Sequence, residues 1–124
     1  MKEDIADRSD IRLFVEAFYD KLLTDSDLRH YFSHILEQNT LEKHLETITD
    51  FWEDILFLSS KYDRNAMKPH LGLNQRMPFE AHHFKAWLGH FNTTIDQYFN
   101  GDKVRLAKNR ALSIATIMQI KIKN

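Results

Sequence analysis

The chain has 124 residues, 43% of them hydrophobic and 12% aromatic, which predicts one packed globular domain over residues 1–124. Seventeen basic residues against 18 acidic ones leave a net charge of -1, so no basic excess is available to grip nucleic-acid phosphates or anionic lipid. The absence of cysteine excludes disulfides, thiolate zinc sites, iron–sulfur clusters and haem ligated by or covalently attached through cysteine.

In chain order, Ser9 and Asp10 are good N-cap residues. Ile11, Phe14, Val15, Phe18 and Leu22 then recur at helical spacing, with Tyr19 beside that face. Thr24-Asp25-Ser26-Asp27 breaks the pattern, and a short helix carrying Leu28, Tyr31 and Phe32 follows. Asn39 and Glu42 have capping-box spacing ahead of a long apolar run. In that run Leu41, Leu45, Ile48, Trp52 and Ile55 form one stripe, and His44, Ile48, Phe51, Ile55 and Leu58 a second. Glu42, Glu46, Thr49 and Glu53 are expected on the opposite, wet side.

From about Ser59 to Met77 no period is evident, and an irregular stretch this long in a small domain points to function. Pro78 suits the first turn of the next helix, which is expected to bury Phe84, Trp87, Leu88, Phe91, Ile95 and Tyr98. Asn100-Gly101 stops it. Asp102 is expected to cap the last helix, with Val104, Ala107, Ala111, Ile114 and Met118 facing inward. No segment alternates with period two, so the chain reads as all-α. No apolar run approaches the ~18 residues of a membrane span, and the charged N-terminus lacks a secretory signal. A cytoplasmic protein without nucleic-acid or membrane partners is expected.

Seven histidines are the main candidates for chemistry. His30 and His34 share a spacing that suits a metal but have no third ligand nearby. Glu80 and His83 make one Glu-x-x-His where a di-iron bundle needs two. His90 has no evident partner. His70 lies in the irregular stretch among Met67, Leu71 and Leu73, with Arg64, Lys68 and Arg76 close in sequence. An imidazole in apolar surroundings rimmed by cations suits a flat apolar cofactor with carboxylate tails, such as haem. The alternative is a solvent-facing loop histidine, which spacing alone favours. Tyr19 either hydrogen-bonds a backbone carbonyl or serves a ligand. Trp87 is core packing or a donor through its indole N–H. His44 gates a pocket or faces water.

Together these residues lead to a family resemblance, carried by Phe18-Tyr19, by His44 with Phe51-Trp52, and by Met67-Lys68-Pro69-His70-Leu71. His83-Phe84-Lys85-Ala86-Trp87-Leu88-Gly89-His90-Phe91 and Ala107-Lys108-Asn109-Arg110-Ala111 complete it. Over nearly its whole length the chain resembles the group III truncated haemoglobins, bacterial globins with a two-over-two helical sandwich. The glycines, at 72, 89 and 101, are never adjacent, whereas the other truncated groups carry paired glycines.

The resemblance implies heme b (iron protoporphyrin IX) held by His70 as the proximal iron ligand. Tyr19 would be the main distal donor, Trp87 would stand beside the bound ligand, and His44 would sit at the distal mouth. Phe18, Ile48, Phe51 and Trp52 would wall the cavity, Leu73 and Phe84 would contact the cofactor, and Lys68 and Arg76 would meet the propionates. The implied ligands are O2, NO and CO, with high O2 affinity and slow release. Two further readings stand beside it: an NO dioxygenase or weak peroxidase fed by an external reductase, and a haem-free regulatory or interaction domain.

Overall fold

The computed structural model describes residues 2–37, 40–57 and 80–123. All regular structure among them is helical: α1 (Arg8–Thr24), α2 (Arg29–Glu37), α3 (Leu41–Phe57), α4 (Ala81–Tyr98) and α5 (Asp102–Lys123). The expected cap at Asn39, the apolar Leu58, the irregular stretch and Pro78 lie outside the described residues, as does the side chain of His34.

α1 starts earlier than Ser9 and Asp10 suggest. Asp7 is its N-cap, and its carboxylate accepts the Asp10 N–H at 3.2 Å. Asp10 is already inside the helix and accepts the Ala6 N–H at 2.8 Å. The expected face is buried throughout: Ile11, Phe14, Val15, Phe18, Tyr19 and Leu22. Leu28, Tyr31 and Phe32 are buried as well.

On α3 the buried stripe is Leu45, Thr49, Trp52 and Leu56, while Ile48, Phe51 and Ile55 are half-buried. Thr49 therefore faces inward, not outward. Its hydroxyl donates to the Leu45 carbonyl one turn back at 2.6 Å, so the side chain enters the core with its polar atom satisfied. The wet side of α3 is also more than a solvated face. Arg8 pairs with Glu46, Asp50 and Glu53 at 2.6–2.7 Å, and Arg12 bridges Glu16, Glu42 and Glu46. These pairs zip α3 to α1.

α4 buries Phe84, Trp87, Phe91 and Ile95 as expected, together with His83 and Thr94, and leaves Leu88 half-buried. Tyr98 is exposed and Phe99 takes the inward place. The helix ends at Tyr98, and Phe99 is extended (φ -140°, ψ 161°), so the chain's direction change turns the next side chain inward. On α5 the inward residues are Val104, Ala107, Ala111, Ala115 and Met118, with Ile114 half-buried.

The start of α5 depends on a residue far back in the chain. Asp102 is the first helical residue, not the cap, and its carboxylate pairs with Arg105. The cap is Asp4, whose carboxylate accepts the N–H groups of Lys103 at 3.0 Å and Val104 at 3.3 Å. Burial alone would push the Asp4 carboxyl up. Backbone bonds from Lys103, Ile5 and Val104 outweigh that and hold it below the ordinary carboxylate range. Its stabilising effect is therefore present above the unfolded carboxylate pKa and lost as pH falls through the lowered folded value. Asp4→Ala should lower stability by about 1 kcal/mol at neutral pH. The difference from wild type should shrink on acidification, as read in denaturant unfolding at stepped pH.

α1 packs on α3 and α4 on α5, while α1 also crosses α4 and α3 crosses α5; α2 touches both α1 and α3. This is a two-over-two sandwich. Aromatic rings fill the crossing: Phe91 lies 5.7 Å from Phe14 and 5.1 Å from Trp52, centroid to centroid. Burial of each such ring stabilises the fold by roughly 1.5–3 kcal/mol.

Candidate functional site

Four helices meet around one small cavity. α1 supplies Phe18 and Tyr19, α3 supplies Ile48, Phe51 and Trp52, α4 supplies Trp87, and α5 supplies Ile114. The space between them is about 30 Å³, on the order of one water or diatomic molecule. Its walls are apolar except at Tyr19 and Trp87.

Tyr19 reaches the cavity because it sits one residue past Phe18, on the edge of the α1 face that meets α3. It is 3% exposed, and its hydroxyl shares a hydrogen bond with His44 Nε2 at 2.8 Å. Burial pushes the phenol pKa up, so Oη keeps its proton at neutral pH. Oη has one proton to donate and lone pairs to accept with. When His44 carries its proton on Nε2, the hydroxyl accepts from the imidazole and has its own proton free for the cavity.

Trp87 is 7% exposed, and its indole Nε1 has no hydrogen-bond partner among the described residues. The ring is fixed by packing, edge-on to Phe18 at 5.5 Å and stacked on Phe91 at 6.0 Å. A buried N–H without an acceptor costs about 1–3 kcal/mol. Such a group persists where an acceptor completes it.

Of the other expected wall residues, Phe18, Ile48, Phe51 and Trp52 line the cavity. Phe84 is buried but lies outside this lining. Lys68, His70, Leu73 and Arg76 lie outside the described residues. Ile114 is an addition. A single isoleucine on the last helix carries no polar signal that could have singled it out.

Two of the other histidines, His90 and His83, have structural partners. His90 Nε2 meets Asp25 Oδ2 at 2.6 Å, although the sequence offers it no evident partner. His83 is buried, and its Nδ1 accepts the Glu80 N–H at 2.9 Å, closing the start of α4. Burial and the neighbouring His82 push the His83 pKa down, so the ring is neutral and able to accept that bond. Glu80, His82 and His83 bring potential ligand atoms within 4.8 Å of one another. The lone pair of His83 Nδ1 is already taken by the cap.

A two-over-two helical sandwich enclosing a donor-lined apolar cavity is the architecture of a truncated globin. A family model for bacterial-like globins matches residues 2–123, and the chain belongs to that family. Over 121 residues it is 28% identical to group 3 truncated hemoglobin ctb of Campylobacter jejuni, covering 96% of this chain and 93% of that protein. The crystal structure of the group III truncated hemoglobin from Campylobacter jejuni is similar with a TM-score of 0.85 and 27% identity, over 98% of this chain and 95% of that one.

The family brings haem binding and small diatomic ligands to this chain. The described residues fit that assignment. Ile48, Phe51 and Ile55 leave half-buried apolar surface on α3, which a flat apolar group would cover, and the Trp87 indole N–H has no acceptor among the described residues. No helix among the described residues is long and apolar enough to cross a membrane.

Proposed function

We propose that this chain is a cytoplasmic heme b globin, one domain over residues 1–124, that takes up O2 with high affinity and releases it slowly. The observation that carries this reading is the pair of donors at one cavity: a protonated Tyr19 hydroxyl backed by His44, and a Trp87 N–H with no partner among the described residues. Haem supplies the ferrous iron at which O2, NO or CO binds. His70 would hold it from the proximal side, with Leu73 and Phe84 as apolar contacts and Lys68 and Arg76 at the propionates.

This chain's own part is electrostatic. Bound O2 takes on partial negative charge, and preorganised N–H and O–H donors stabilise such charge more in a dry site than in water. Phe18, Ile48, Phe51, Trp52 and Ile114 keep the site dry and small. His44 holds the Tyr19 hydroxyl in place. Slow release fits O2 or NO chemistry better than bulk delivery. For redox turnover an external reductase would supply the electrons.

An absorption spectrum of the protein as purified, then reduced, then under CO tests this reading. A Soret band that moves with CO is expected, with His70→Ala as the control that weakens it. A colourless chain that takes up no added hemin would overturn the assignment and favour a haem-free interaction domain.

A further inference from the structure

We propose that His90 is a positioning residue for the cavity, acting through its bond to Asp25 to fix Trp87 relative to Tyr19. The proposal rests on the donor reading of these two residues given above.

Asp25 is a rigid anchor. Its N–H donates to the Lys21 carbonyl at 3.0 Å, closing α1, and its carbonyl accepts from Leu28 at 3.2 Å and Arg29 at 2.8 Å. One carboxylate oxygen accepts the Asp27 N–H at 2.7 Å. The other takes His90 Nε2 at 2.6 Å. Every polar group of Asp25 is thus engaged at the corner between α1 and α2. The pair is largely sheltered, with side chains 30% exposed for His90 and 19% for Asp25. The imidazole bond is the leading reason that the Asp25 carboxyl lies below its ordinary range, so the carboxylate stays ionised and Nε2–H donates to it.

His90 stands three residues past Trp87 and next to Phe91, on the same stretch of α4. Phe91 stacks on Trp87 and packs edge-on to Phe18 at 5.3 Å. The Trp87 indole has no polar partner of its own among the described residues. Its N–H direction is therefore set by where this turn of α4 sits on α1. A second polar tie between α1 and α4 joins Lys21 Nζ to Gln97 Oε1 at 2.8 Å, but it is exposed and lies about two turns further along α4. The Asp25–His90 bond is the sheltered tie beside the indole. A misplaced donor loses much of its effect, because the stabilisation depends on distances held to within about 1 Å.

His90→Leu removes the bond, and His90→Gln offers Asp25 a side-chain N–H in its place. Two readouts apply. One is the Trp87 indole N–H signal in NMR, identified by its loss in Trp87→Phe and read in the protein as isolated and in its reduced CO form. The other is O2 release from the reduced protein. His90→Leu should move the indole signal and speed release about tenfold, a fraction of the effect of deleting a preorganised donor. His90→Gln should return both toward wild type. Wild-type values for both readouts in His90→Leu, or a His90→Gln that behaves like His90→Leu, would overturn the proposal, whatever happens to thermal stability. If His90→Leu does not fold, His90→Ala removes the bond without crowding Asp25 and is read the same way. An unchanged release rate in Tyr19→Phe would instead count against the donor reading, and the indole signal would then decide this proposal by itself.

Discussion

Tyr19→Phe should speed O2 release about 100-fold, the loss expected when one preorganised donor is deleted. That factor corresponds to about 2.7 kcal/mol of stabilisation of the bound ligand. The size follows from the setting. The hydroxyl is buried, keeps its proton, and is held by His44 at 2.8 Å, so with the His44 proton on Nε2 it is already placed to donate into the cavity. Phe keeps the ring, which packs edge-on against Phe18 at 5.6 Å and Phe32 at 6.1 Å, so the wall survives while the donor goes. CO draws less charge than O2, so its release should change much less. Stopped-flow displacement of O2 by CO measures the rate, and an unchanged rate would remove Tyr19 from the site.

Trp87→Phe should act in the same direction but less strongly. Its indole N–H has no polar partner of its own among the described residues, whereas the Tyr19 hydroxyl has one behind it.

The residues that the sequence reading placed correctly share one property: their environment is set within a few turns of their own helix. The faces of α1 and α4 follow the helical period because both helices bury a continuous stripe. The misplaced residues have distant partners, a polar atom satisfied locally, or a place at a helix end. Thr49 reads as a wet residue by type, yet a bond to its own helix admits it to the core. Asp4 caps α5 from 99 residues away, and His90 finds Asp25 from 65 residues away, distances over which no periodicity reports. Tyr98 and Phe99 exchange places because the helix ends between them, a boundary that a one-residue error reverses.

The site was legible in a different way. Tyr19, His44 and Trp87 each look like ordinary core or edge residues by spacing; together with His70 they define one possible site, and the family resemblance gives them roles. The geometry adds what no pattern contains: the bond between the first two, and a nitrogen on the third that has no partner among the described residues. Ile114 shows the converse, since an apolar wall residue is indistinguishable in sequence from any other isoleucine on an inward helix face.

Gly101→Ala should destabilise the fold by about 2–4 kcal/mol, because two separate penalties fall on one position. The backbone there has φ +151°, a conformation that side-chain-bearing residues rarely adopt and that costs them on the order of 1–3 kcal/mol. A Cβ would also collide with the side chain of Asp4, at its Cβ, Cγ and Oδ2 atoms. Asp4 cannot yield without cost, since it caps α5 through Lys103 and Val104 and is followed by the buried Ile5. Against a total stability of about 5–15 kcal/mol this is a large fraction, and it should lower Tm by about 10 °C. The collision predicts non-additivity: with Asp4→Ala already in place the cap is gone and the space is open, so Gly101→Ala should then cost only its backbone penalty. A double-mutant cycle in denaturant unfolding measures both terms. A single Gly101→Ala variant as stable as wild type would show that the N-terminal segment does not hold the α4–α5 corner in this way.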